Sequence, residues 1–168
     1  LINKRMENKE NIFISIVMPT YNSAEFIEKS IESVLSQTYK YFELLIIDNN
    51  STDNTSQIIS KYKDSRISYT KIFNKGIIAK SRNLGIEIAR GNWIAFLDSD
   101  DIWFPERLEK IYQLISIKKN LDVITTNEYK VFDSSKRRKK LFYGISRNNQ
   151  YKSLLLYGNK LSPSATLV

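Results

Sequence analysis

The 168-residue sequence contains no cysteine and no histidine. Together these absences exclude thiol nucleophiles, disulfides, Cys/His zinc sites and Ser-His-Asp triads. Any general base in the chain must therefore be an aspartate, glutamate, lysine or tyrosine. Glycine is scarce, at five residues. None follows the first apolar run, where Pro19-Thr20-Tyr21-Asn22 stands in place of a glycine-rich phosphate loop. No apolar stretch approaches the ~20 residues of a membrane-spanning helix, and no secretory apolar region lies near the N-terminus.

What remains is a globular composition, 42% hydrophobic, long enough for one domain with a real core. Residues 1–11 are polar and charged and read as a disordered leader, with Met6 an alternative natural start. The net charge of +8 comes partly from five consecutive cations, Lys136, Arg137, Arg138, Lys139 and Lys140. They read either as a solvated loop or as a peripheral contact to an anionic membrane surface or phosphate-bearing substrate. No aromatic-basic interleaving or recognition-helix pattern points to nucleic acid.

Strand and helix patterns alternate. Residues 12–18 are apolar and β-branched, and Pro19 is expected to end that strand. Ser23 is placed to cap a helix whose apolar face is Ile27, Ile31, Val34 and Leu35. Residues 42–47 form a second strand closed by Asp48, followed by turn chemistry at 49–53 and a short helix carrying Ile58, Ile59 and Tyr62. A third strand at 66–73 precedes a helix at 79–90, with Gly91 placed as a left-handed terminator. Pro105 opens a helix with Leu108, Ile111, Tyr112 and Ile115 on one face, and residues 122–126 are a further strand. Residues 129–132 and 141–143 suggest a hairpin flanking the basic run, and 152–157 a short helix. The apolar end at 165–168 reads as a strand cut off, making the chain a fragment. This alternation predicts an α/β fold, with a mainly parallel sheet, helices on both faces and a less regular C-terminal third, in one domain over 12–168.

The most informative stretch is Trp93-Ile94-Ala95-Phe96-Leu97-Asp98-Ser99-Asp100-Asp101, a buried strand running straight into three carboxylates. In extended chain Asp98 and Asp100 point the same way, where like charges raise each other's pKa. A hard divalent cation, which takes one or two carboxylates plus phosphate oxygens, would relieve that cost. The alternative is a polar turn capping the next helix, and these residues alone leave both open. In parallel sheets ligands sit beyond the carboxyl ends of the strands. There Thr20, Asp48, Asp98 and Asp100 are expected to converge from three loops.

Four segments in order carry a resemblance. They are Val17-Met18-Pro19-Thr20-Tyr21-Asn22, Ile47-Asp48-Asn49-Asn50-Ser51-Thr52-Asp53, Ser81-Arg82-Asn83-Leu84-Gly85 and Phe96-Leu97-Asp98-Ser99-Asp100-Asp101. They are similar to the successive motifs of family 2 glycosyltransferases, and the likeness covers about residues 12 to 130. The resemblance implies a GT-A, Rossmann-like fold and an inverting, metal-dependent transfer from a nucleoside-diphosphate sugar, with UDP preferred. The acceptor would be a glycan or lipid-linked hydroxyl in bacterial surface-glycan synthesis. The working place would be the cytoplasm or the inner face of the plasma membrane.

The resemblance also implies roles. Thr20 and Tyr21 would line the nucleotide pocket, with Ser99 beside them, and Asp48 would accept a hydrogen bond from the base. Arg82 would reach toward the diphosphate. Asp98 would contact the ribose or a metal-bound water, and Asp100 would ligate Mn²⁺ or Mg²⁺, with Asp98 as second metal-site carboxylate. The family usually has a glycine near Asn50, a left-handed position that asparagine tolerates. The family's general base lies further along, and Glu106, Glu109, Asp122, Glu128 and Asp133 do not match its motif. The base is therefore expected beyond Val168. The competing class is a catalytically silent nucleotide-sugar-binding module.

Overall fold

The computed structural model describes residues 12–118, 120–132, 137–141 and 162–168. Four parallel strands come from the alternating apolar runs: β1 (Ile14–Thr20), β2 (Phe42–Asp48), β3 (Ile67–Lys71) and β4 (Trp93–Phe96). Every residue of β1 and β2 is buried, which is why both read as near-continuous apolar runs. β8 (Thr166–Leu167) lies antiparallel between β4 and β5 (Ile124–Thr125), giving a six-stranded order β3-β2-β1-β4-β8-β5. Thus the apolar end of the chain is a strand, as expected.

The period of two in β1 divides the packing between the faces. Ile14, Ile16 and Met18 join Leu44 and Ile46 of β2 in a core with three helices. These are α1 (Ile27–Leu35), α2 (Thr55–Ile59) and α4 (Arg107–Ile117). Val17 faces the other way, onto α3 (Ile78–Ile88), so close that a Cβ on Gly85 would stand 2.3 Å from Val17 Cγ1. Helices therefore cover both faces. Among the described residues no helix is long and apolar enough to cross a membrane.

Four local expectations change. Pro19 lies inside β1 rather than ending it. The Leu97 amide already bonds Val17 O at 3.0 Å, and β4 ends at Phe96. Pro19 thus stands just past the end of the β1–β4 register, so its missing N–H interrupts none of the pairs of that register. Ser23 does not cap α1; its hydroxyl turns to Tyr21 O and Ser99 Oγ, and Asp53 accepts the Ala24 amide at 3.0 Å instead. Gly91 is not left-handed. Its role is close approach, since a Cβ there would meet Ser15 N at 2.5 Å and Phe13 O at 2.8 Å. The basic run is not a loop: Arg137, Arg138, Lys139 and Lys140 are strand β7 (Arg137–Leu141), paired with β6 (Glu128–Phe132). Lys136, the strand end at 142–143 and the helix expected at 152–157 lie outside the described residues. Asn50 is left-handed, at φ 56°, as its turn requires.

At the amino ends of the strands a buried carboxylate ties sheet to helix. Glu43 accepts from Ser15 Oγ at 2.6 Å, from the Arg90 amide at 2.9 Å and from Arg90 Nη2 at 2.6 Å. Burial pushes the Glu43 carboxyl up, but the Arg90 and Ser15 bonds outweigh it and hold the group below its ordinary 4.5. A depressed folded-state pKa contributes stability above the unfolded value that disappears as pH falls through the folded one. Urea unfolding from pH 7 down to 3 should therefore show stability dropping below about pH 4.5, and Glu43→Gln should flatten that limb. Gly85→Ala should cost about 1–3 kcal/mol through overpacking, and Val17→Ala in the same chain should recover part of it.

Candidate functional site

A cavity of about 500 Å³ opens at the carboxyl ends of β1, β2 and β4. Its walls are Pro19 and Thr20 at the end of β1, Tyr21, Asn22 and Ser23 in the following loop, and Asn49 after β2. Gly76, Ile78 and Ser81 close one side, and Asp98, Ser99 and Asp100 form the acidic edge. The volume suits a small-molecule ligand.

The acidic segment is not extended. The Asp101 amide bonds Asp98 O at 3.0 Å and closes a turn, so Asp98 and Asp100 reach one cavity through a reversal rather than through strand alternation. A buried polar stripe on α1, continued by Gln37 two residues past its end, holds this turn and the loop after it. Ser30 Oγ donates to Ser99 O at 2.8 Å, and Ser33 Oγ accepts from the Trp103 amide at 3.2 Å. Gln37, fully buried, donates to Phe104 O at 2.8 Å and accepts from the Leu108 amide at 3.0 Å. Ser23 and Ser99 hydroxyls meet at 2.7 Å, and the Asp98 amide donates to Ser164 Oγ at 3.0 Å. These contacts fix the backbone while leaving the Asp100 side chain exposed at the cavity.

The opposite wall is equally tied. Asn22 is left-handed, at φ 47°. Its amide bonds Ser51 Oγ at 2.9 Å, and its side-chain oxygen accepts the Thr52 amide at 2.8 Å. The loops after β1 and β2 are thereby stitched together.

Of the expected site residues, Thr20, Tyr21, Asp98, Ser99 and Asp100 all border the cavity. Arg82 stands behind Asp98, with Nη2 2.6 Å from Oδ1. Asp48 differs from expectation. It is fully buried, one oxygen takes the Ser51 amide at 2.9 Å and hydroxyl at 2.6 Å, and the other takes the Tyr69 hydroxyl at 2.6 Å. Burial and the bond to Asp48 raise the Tyr69 hydroxyl above its ordinary 10, so it remains a donor. Asp48 thus organises its own loop, and its neighbour Asn49 faces the cavity. Asn22, Ser23, Asn49 and Ser81 border it without having been singled out as site residues. Asn22, Asn49 and Ser81 sit within the quoted motifs, and Ser23 reads as a helix cap, which masks its wall position.

Two observations bear on what would bind. Thr20 Oγ1 is buried without a hydrogen-bond partner, at the cavity wall, a donor left for a ligand. Among the described residues no group of three or more acidic, His or Cys side chains could hold a metal. Asp98 and Asp100 nonetheless fit a hard cation that takes its remaining oxygens from phosphate and water, the usual arrangement for Mg²⁺.

Comparison with known proteins agrees with this geometry. The profile described as Glycosyl transferase family 2 matches residues 15–164. The chain is similar to WfgD of Escherichia coli, named as a UDP-Glc:alpha-D-GlcNAc-diphosphoundecaprenol beta-1,3-glucosyltransferase. The two are 40% identical over 127 residues, covering 75% of this chain and 49% of that protein. It is 38% identical over 161 residues to an uncharacterized glycosyltransferase of Haemophilus influenzae, covering 92% and 61% of the two. Among solved structures, S. aureus TarS 1–349 in complex with UDP-GlcNAc superposes with a TM-score of 0.75 at 26% identity, over 93% of this chain and 45% of that one. The chain spans 40%, 49% and 23% of the first three curated relatives, under half of each.

An unpaired buried hydroxyl costs about 1–3 kcal/mol. Thr20→Val should therefore leave the free protein as stable or more so in thermal unfolding, while weakening binding of whatever fills the cavity.

Proposed function

We propose, from the premise that the chain belongs to glycosyl transferase family 2, that its cavity binds a nucleoside-diphosphate sugar, UDP-linked by preference. On this reading the polypeptide works in inverting sugar transfer to a glycan or lipid-linked hydroxyl. The observation that carries the reading is the meeting of Thr20, Asp98 and Asp100 around one cavity. The names of the relatives support the donor class: TarS is described with UDP-GlcNAc, and WfgD with UDP-Glc and a diphosphoundecaprenol acceptor. A cytoplasmic working place, on the inner face of the plasma membrane, fits such an acceptor.

Inverting transfer is a displacement at the anomeric carbon, and the departing nucleoside diphosphate gains negative charge as its bond breaks. A divalent cation, Mn²⁺ or Mg²⁺, held by Asp100 with Asp98 beside it, supplies Lewis-acid stabilisation of that charge when bound. Arg82 fixes the direction of Asp98 through their 2.6 Å bond and lowers the cost of two neighbouring carboxylates. Thr20 and Tyr21 bound the nucleotide side. The base contact expected of Asp48 requires a ligand group to replace the Tyr69 hydroxyl on Asp48. The incoming hydroxyl must lose a proton on the face opposite the leaving group. Asp98 and Asp100 are both occupied on the donor side. The base is therefore proposed to lie beyond Val168, and these 168 residues are proposed to bind donor without transferring it.

A thermal-shift screen of nucleoside diphosphates and their sugars, with and without Mn²⁺, tests this. Saturation at a hundredfold over Kd adds about 2.7 kcal/mol, a rise of roughly 5–10 °C for a domain this size. The rise should require metal and should vanish in Asp100→Ala. A rise that survives Asp100→Ala unchanged, or none with any nucleotide, refutes the reading. If the longer gene product binds donor yet never turns over, the silent binding module is correct instead.

A further inference from the structure

One side of the cavity is joined by a chain of hydrogen bonds whose direction is forced. The Asn74 amide reaches Asn49 Oδ1 at 3.0 Å. A backbone N–H can only donate, so the oxygen of the Asn49 side chain faces it and the Nδ2 end faces away. The Ile77 amide likewise takes Asn74 Oδ1 at 3.0 Å, which leaves Asn74 Nδ2 to donate to Ser81 Oγ at 2.7 Å. Ser81 thus accepts with a lone pair and keeps its own hydrogen. Lys75 and Gly76 are left-handed, at φ 57° and 78°, and fold the loop back so that Asn74 can make all three bonds. Asn74 is buried behind the cavity wall, whereas Asn49 and Ser81 both border the cavity. Among the described residues neither Asn49 Nδ2 nor the Ser81 hydrogen has a protein acceptor. Both therefore offer hydrogens, rather than a carbonyl or carboxylate oxygen, to a ligand.

β1 separates β2 from β4 in the sheet, so the rim at Asn49 stands about 10 Å from the rim at Asp98 and Asp100. A nucleoside diphosphate whose phosphates meet a cation at Asp100 puts its base at the far end, beside Thr20 and Asn49. Asp48 is not free to read that base, because Ser51 and Tyr69 take both its oxygens. Uracil exposes two carbonyl oxygens. Cytosine replaces one of them with an amino group, whose hydrogens would meet the hydrogens of the wall. We propose that Asn49 and Ser81, set in direction by Asn74, select uracil over cytosine by donating to its carbonyl oxygens. This rests on the nucleotide-sugar reading of the cavity and names the groups that decide the base. Asn74 acts only through the other two and is a positioning residue.

Titration calorimetry with UDP and with CDP, both in Mn²⁺, reads the ratio of the two dissociation constants. The unmodified chain should bind UDP about tenfold or more tightly than CDP, since a mismatched donor leaves buried polar groups unpaired. Asn49→Asp keeps an oxygen for the Asn74 amide but turns an acceptor to the ligand, and the preference should fall to about one or reverse. Simple repulsion of the phosphates by the new charge would weaken both nucleotides alike and leave the ratio where it was. Asn74→Asp keeps the Ile77 bond and draws the Ser81 hydrogen away from the cavity. It should lower the preference about threefold or more although it touches no ligand. Ser81→Ala removes the same donor without altering the loop and should give the same fall. A ratio near one in the unmodified chain, or one that Asn49→Asp does not move while UDP still binds, overturns the inference and leaves the donor-site reading standing. Binding of neither nucleotide overturns both.

Discussion

Three carboxylates within four residues repel one another, and the turn holding Asp98, Asp100 and Asp101 persists because distant neutral and cationic groups grip its backbone and two of its side chains, Asp98 by Arg82 and Asp101 by Ser164. The grip comes chiefly from α1. Ser30 and Ser33 on α1, and Gln37 two residues past its end, lie at spacings of three and four residues and are all buried, so part of the side an amphipathic helix would make apolar is polar. Each of these side chains satisfies a backbone group of residues 99–108. Those groups sit in irregular chain or, for the Leu108 amide, in the open first turn of α4, where an unpaired amide or carbonyl costs more than the hydrogen bond itself returns. The polar stripe is thus what allows an irregular acidic loop to lie against a core.

The same arrangement separates two kinds of carboxylate at one rim. Thr20 and Asp48 are register partners at the ends of β1 and β2, and both arrive at the same height. Asp48 nevertheless finds Ser51 and Tyr69 within its own neighbourhood and folds inward. Asp98 finds Arg82 and stays at the cavity wall. Asp100 has no such partner among the described residues and remains exposed at the cavity. Rim position follows from the sheet, while availability follows from which donors the neighbouring loops supply.

Two close approaches keep the opposite face thin enough for this geometry. Gly85 lets α3 settle onto Val17, and Gly91 lets the chain pass against Ser15. α3 in turn carries Arg82 to Asp98 and Ser81 to the cavity wall. A helix held further off would carry the guanidinium away from the carboxylate it neutralises.

Apolar periodicity and turn chemistry by themselves determined the order of strands and helices, the parallel sheet and the rim on which Thr20, Asp98 and Asp100 gather. Those properties depend on short-range pattern, which is written locally. Only the tertiary structure decided that Asp48 turns inward, that Pro19 is tolerated within β1, that Gly91 serves packing rather than handedness and that the basic run is a strand. Each depends on what a partner far along the chain presents: the Tyr69 hydroxyl, the early end of β4, the Ser15 backbone and the strand β6. A residue's spacing says which way it starts out; which groups meet it there is settled by contacts across tens of residues, which no local pattern encodes.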